Sequence, residues 1–239
     1  AAMGFLLIRD LPLMKVKALM PDRAQVKQMI RFGIVMLTAS ATSQVMSYNE
    51  TFIVGRLLKD EELLAEYRVA ANILSISLFL LEALLVFILP YFIQHIRDKK
   101  WIWENYKKLF AINGVVMTVF HLGLFIFAKL YLYIFAGPEY MGAAPLVRMF
   151  LIASWIQAVF RGISGNILAV TGEEKFNLKI NIVFVVVHAV IDVAAVKMLG
   201  IYGAAIALIV VYLLSGLIMN LHLRNICKSQ IGEITNDEK

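Results

Sequence analysis

An arginine lies inside an apolar stretch long enough to cross a bilayer: residues 146–171, LVRMFLIASWIQAVFRGISGNILAVT, enclose Arg161. A guanidinium at that depth requires a polar partner or a water-filled cavity. Ser154, Gln157, Arg161 and Ser164 are spaced three, four and three apart, which on a regular helix makes one polar face, with Phe150, Ile152, Ile156 and Val159 largely on the others. Further polar groups recur in other apolar stretches. Ser40, Ser43, Gln44 and Ser47 continue at helical spacing to Glu50; Asn72, Ser75 and Glu82 share a second face; Asn181, His188 and Asp192 share a third. A carboxylate such as Glu82 in the hydrocarbon costs at least about 2.5 kcal/mol unless it is solvated, protonated or paired, and Arg161 is a possible partner for it. His188 and Asp192, one helical turn apart, either satisfy each other structurally or belong to a hydrated path with Arg161 and Glu82.

The elements that must position these groups are membrane helices. Apolar residues make up 61% of the chain and charged residues 17%, below the roughly 25% usual in soluble domains, and mean hydropathy is +0.77. The pattern predicts six spans, near 32–56, 69–93, 109–136, 146–171, 180–199 and 202–222, within an all-α integral membrane bundle. Residues 1–8 read as the stump of a preceding membrane helix and 9–31 as a basic cytoplasmic or interfacial linker with a helix start at Pro21-Asp22. Residues 32–222 form the lobe and 223–239 a polar cytoplasmic tail. Loops are expected at 57–68 and at the basic, aromatic segment 94–108, whose Trp101, Trp103 and Tyr106 suit the headgroup layer. Pro90 is expected to bend the second span.

The formal charge of +6 does not indicate nucleic acid, because the basic residues sit between apolar spans. With the first linker inside, sixteen of the 23 Lys and Arg fall in cytoplasmic segments and six in external loops, so both ends lie in the cytoplasm. A single cysteine, Cys227, excludes an internal disulfide and a multi-cysteine metal site. The four histidines are scattered, and no phosphate-binding glycine loop occurs. Gly162-Ile163-Ser164-Gly165 matches the short motif around the nucleophile of rhomboid proteases, but His188 lies on the fifth predicted span and is followed by Ala189, Val190 and Ile191 where a rhomboid has its last span and glycines. Catalytic residues, metals and cofactors are therefore not expected.

Several motifs in order carry a resemblance. Phe135-Ala-Gly-Pro-Glu-Tyr140 precedes a span, Thr171-Gly-Glu is followed by Lys175, and Gly200-Ile-Tyr-Gly-Ala-Ala205 joins two spans. Earlier, Glu50-Thr-Phe-Ile-Val-Gly55, Glu66-Tyr67 with Ala70, and Leu89-Pro90 fall in matching positions. In these features the chain resembles the C-terminal half of bacterial polysaccharide flippases of the Wzx type, within the MATE-like transporter superfamily. The resemblance implies one six-helix lobe of a twelve-helix bacterial inner-membrane protein that moves undecaprenyl-diphosphate-linked oligosaccharide by alternating access. Its partners would be that lipid-linked oligosaccharide, membrane lipid and an N-terminal lobe lying outside this sequence. It implies a substrate path through Arg161, Gln157, Arg148 and Gln44, with Arg161 holding the diphosphate, and coupling or structural roles for Glu82, His188, Asp192 and Glu50. The family commonly has Asn where this chain has His188 and Asp192. The alternatives are a cation-coupled multidrug antiporter of the same superfamily, in which carboxylates matter more than arginines, and a non-transporting, truncated membrane subunit.

Overall fold

The computed structural model describes the backbone of residues 50–237, side chains to Ser229, and isolated positions 22, 23, 26, 27 and 30. The chain divides into two units, Ala1–Leu37 and Thr38–Lys239. In the first, Arg23, Val26, Lys27 and Ile30 are helical, and the Val26 amide donates to the Asp22 carbonyl at 3.0 Å, in keeping with a helix start at Asp22. Ser40, Ser43, Gln44 and Ser47, with most of the first predicted span, lie outside the described residues.

In the second unit, a helical segment over 50–58 is followed by α1 (Glu61–Gln94), α2 (Lys99–Ile126) and α3 (Ala128–Phe135). A 3₁₀ segment, Pro138–Ala143, leads into α4 (Ala144–Ile156), a π-helical turn (Gln157–Gly162) and α5 (Ile163–Val170), then α6 (Glu174–Leu199) and α7 (Ile201–Asp237). Five continuous helical stretches among the described residues are long and apolar enough to span a membrane: Glu61–Gln94, Lys99–Ile126, Pro138–Val170, Glu174–Leu199 and Ile201–Ser229. Large apolar side chains such as Phe79, Val86, Phe87, Val119 and Met198 are left uncovered, as expected where the outer solvent is lipid.

The expected loops are much shorter. Asp60 caps α1 by accepting from the amides of Glu62 (3.0 Å) and Leu63 (3.1 Å), so Glu61, Glu62 and Glu66 are helical. Asp98 accepts from the Trp101 amide at 2.8 Å, and the basic, aromatic residues from Lys99 onward form the first turns of α2. Charge alone suggested loops there, but helices continue through the headgroup layer, where water still solvates charged side chains and a carboxylate cap completes the first turn. α1 continues through Pro90 to Gln94. At the other end α7 runs past residue 222, and Leu223 and Cys227 are buried in a core with Ile102, Tyr106 and Met219.

Two cores hold the unit. One joins α1, α4, α6 and α7 through Tyr67, Ile73, Phe150, Phe184 and Leu208; the other joins α1, α2, α5 and α7 through Leu81, Met117, Ile163 and Met219. The α6–α7 hairpin turns at Gly200, whose φ of 62° suits glycine. A side chain at Gly203 would run into the Ala195 carbonyl, so the two helices begin in direct backbone contact.

Candidate functional site

The π turn is central to the site. A π turn adds one residue to the helical circuit, so a polar stripe drawn at 3.6 residues per turn cannot continue through it. Ser154, before the turn, faces α2, where its hydroxyl meets His121 Nε2 at 3.1 Å. Arg161, inside the turn, faces α6 and α7: its Nη2 donates to Asn181 Oδ1 at 2.7 Å and its guanidinium lies 5.5 Å from the centre of the Tyr212 ring. Ser164, after the turn, donates to the Phe160 carbonyl at 2.8 Å. The predicted single face is thus divided among three neighbours.

Side chains of adjacent helices take up the carbonyls that the turn leaves over. Asn113 of α2 donates its amide to the Ala158 carbonyl at 3.1 Å, and Asn220 of α7 donates to the Phe160 carbonyl at 2.5 Å. The Tyr106 hydroxyl donates to Asn220 Oδ1 and orients that amide. Glycines allow the approach: a Cβ at Gly216 would lie 2.9 Å from Phe160 Cβ, and one at Gly162 would strike Leu81 of α1. Asn113 and Asn220 each stand singly on their helical face, so a search for polar stripes passes over them, and Tyr106 reads in sequence only as one of several headgroup-layer aromatics.

Around Arg161 lies a seam of buried polar groups. On α6, His188 and Asp192 are completely buried on the same stripe as Phe184 and Val196, which agrees with the predicted common face. Glu50, the first described residue of the helical segment 50–58, is also buried, with the Tyr67 hydroxyl against its carboxylate. Asp192 is within electrostatic range of Glu50 and Tyr67, and Arg161 of His188 and Tyr212. Tyr67 and Tyr212, apparently ordinary aromatic residues in sequence, bridge the acidic and basic parts of the seam.

Much of the seam has no hydrogen-bond partner. Both ring nitrogens of His188, both carboxylate oxygens of Asp192, Glu50 Oε1, Gln157 Oε1 and Arg161 Nε are sealed from the outside and unbonded. His188 and Asp192 therefore do not satisfy each other. An unmet buried polar group costs about 1–3 kcal/mol, and more when charged, so a set of this size in one place sets this seam apart from an ordinary packed interior.

Two predicted residues lie elsewhere. Glu82 is exposed, as are Asn72 and Ser75, because α1 turns Tyr67, Ile73, Ser77, Leu81 and Leu85 inward; Glu82 does not pair with Arg161. A polar stripe on the outer face of a membrane helix needs water or another polar surface beside it. Arg148 stands thirteen residues before Arg161, about 20 Å along the helix, and its Nε donates to the Phe125 carbonyl at 3.2 Å. Gln44 lies outside the described residues. Among the described residues no group of three or more His, Cys, Asp or Glu is arranged to hold a metal ion.

A bundle of long apolar helices with a polar seam inside defines a multi-pass membrane protein of the transporter kind. Residues 13–145 match the family described as polysaccharide biosynthesis protein, more than half of the chain, and the chain belongs to that family of flippase-type membrane proteins. The matched segment contains the Glu50–Gly55, Glu66–Ala70 and Leu89-Pro90 motifs and ends shortly after Phe135–Tyr140. Neither a curated protein nor a solved structure gives a significant match.

Proposed function

We propose that this chain is part of a flippase that carries undecaprenyl-diphosphate-linked oligosaccharide across the bacterial inner membrane by alternating access, with both ends of the lobe in the cytoplasm. The family supplies the connection to polysaccharide, and its flippase-type members point to transport in place of catalysis. The observation that carries the site assignment is the unbonded interior around Arg161, since a lobe built only for packing would pair or replace such groups. Arg161 and Gln157 form the part of the path that meets the diphosphate, the guanidinium providing a two-pronged match to phosphate oxygens. Glu50, His188 and Asp192 keep the seam hydrated and couple its charge to the movement of the lobe. The outer stripe of Asn72, Ser75 and Glu82 faces the central cavity, opposite an N-terminal lobe.

The test is glycan export by the full-length protein in cells, normalised to the amount in the membrane. Arg161→Ala is expected to abolish export and Arg161→Lys to retain part of it, because lysine keeps the charge and loses the fork. Full export by the alanine variant removes Arg161 from the mechanism.

A further inference from the structure

A second site lies on the outer face between α2 and α4, away from the seam. Thr118, His121, Leu122 and Phe125 of α2, with Ile152 and Trp155 of α4, line an open groove of about 230 Å³. Its polar groups are turned to one another. Trp155 Nε1 donates to Thr118 Oγ1 at 3.0 Å, Thr118 donates to the Gly114 carbonyl at 2.6 Å, and the His121 nitrogens meet the Met117 carbonyl (2.8 Å) and the Ser154 hydroxyl (3.1 Å). The surface the groove presents is therefore apolar, with Leu122, Phe125 and Ile152 uncovered.

A positive charge is fixed at one end. The Arg148 guanidinium lies over the Phe125 ring, 5.4 Å from its centre, and its Nε bond to the Phe125 carbonyl ties it to the residue that forms the groove wall. That bond occupies Nε and neither terminal amino group, so the two prongs suited to a phosphate are not used by it. The depth fits as well. Arg148 stands in the second turn of α4 (Ala144–Ile156), toward the end of its apolar stretch, where a membrane helix approaches the headgroups. Trp155 is seven residues beyond Arg148, about 10 Å deeper, so the groove descends from the charge into the acyl layer.

We propose that this groove binds an anionic phospholipid of the surrounding bilayer, with its phosphate on Arg148 and one acyl chain along Leu122, Ile152 and Trp155. A cation joined to an apolar slot is complementary to a phosphate-bearing lipid, and its uncompensated charge favours one whose headgroup carries no cation of its own. The inference rests on the groove alone and is independent of the role of Arg161.

Native mass spectrometry of the full-length protein, exchanged into mixed micelles with equal phosphatidylglycerol and phosphatidylcholine, tests it. The unaltered protein should retain phosphatidylglycerol about fivefold over phosphatidylcholine, the preference one basic residue confers at a membrane surface. Arg148→Ala should remove the preference, and Ile152→Trp, which fills the groove while keeping the charge, should lower retention of both lipids. Equal retention of the two lipids by the unaltered protein overturns the proposal, as does an undiminished preference in Arg148→Ala. Unchanged retention in Ile152→Trp excludes the groove as the site. Displacement of phosphatidylglycerol by an equimolar polyprenyl diphosphate would assign the groove to transported substrate and also overturn it. Crosslinking of a reporter cysteine at 152 to protein in the intact membrane would show that another helix covers the groove, with the same consequence.

Discussion

Two buried histidines lie on either side of the span that contains the π turn, and their surroundings are opposite. His121, on the α2 side, has both ring nitrogens engaged, one by the Met117 carbonyl and one by Ser154, while the adjacent Trp155 and Thr118 bond each other. His188, on the α6 side, has neither nitrogen engaged, and Asp192 one turn away has neither oxygen engaged. Equal burial thus accompanies a finished polar contact in one region and an unfinished one in the other. The first is a joint between helices. The second is a set of polar groups packed inside the bundle with their bonds unmade. Burial of a polar residue in a membrane helix is therefore uninformative until its bonds are accounted for.

The largest disruption should come from Gly203→Val, whose side chain would run into the Ala195 backbone at the start of the hairpin that presents His188 and Asp192 to α7. A loss of about 3 kcal/mol or more is expected, because backbone on both sides cannot yield. Hydrogen exchange should show α6 losing protection while α2 and α4 around His121 keep theirs; uniform loss would mean that the two regions are one cooperative unit.

The comparison is tested most directly by the pair His121→Leu and His188→Leu. Removing His121 discards a satisfied contact and should lower stability in detergent by about 1–2 kcal/mol, near the upper end for polar contacts between membrane helices. Export should then fall only with the amount of folded protein. Removing His188 discards an unbonded buried group, so thermal stability should hold or rise while export per folded molecule drops. Reversal of the two patterns would make the α6 seam structural.

Asn220→Ala addresses the link between the regions, since this amide takes the Phe160 carbonyl freed by the turn that aims Arg161. A cost of about 1 kcal/mol is expected, with a partial loss of export that Asn220→Gln restores incompletely. The smallest effect should follow Trp155→Phe. It removes the bond to Thr118 while keeping the ring's bulk, for about 0.5 kcal/mol in a melting experiment and no change in export.

Much of the architecture was legible in order along the chain. Apolar runs located the second to sixth spans, and the four-residue spacing of His188 and Asp192 put both on one face of α6, which is buried. These are local properties, set by residues within one or two turns of each other. The single face expected for Ser154, Gln157, Arg161 and Ser164 failed at the same level, because regular periodicity placed them together and no local residue announces a π turn. The turn exists because Asn113, forty-five residues before Ala158, and Asn220, sixty residues after Phe160, bring donors to its spare carbonyls. That Glu82 is exposed and does not meet Arg161 has a related reason. Periodicity identifies a polar face, but only the neighbours packed against α1 decide which face is covered.

The sequence by itself determined that this is an all-α membrane protein of the polysaccharide biosynthesis family, because hydrocarbon demands apolar helices whose backbone bonds close within each segment. Tertiary structure alone decided which intramembrane polar groups are bonded and which are left open. That distinction depends on contacts between residues distant in sequence, since the partner of a buried side chain in lipid is supplied by whichever helix packs beside it.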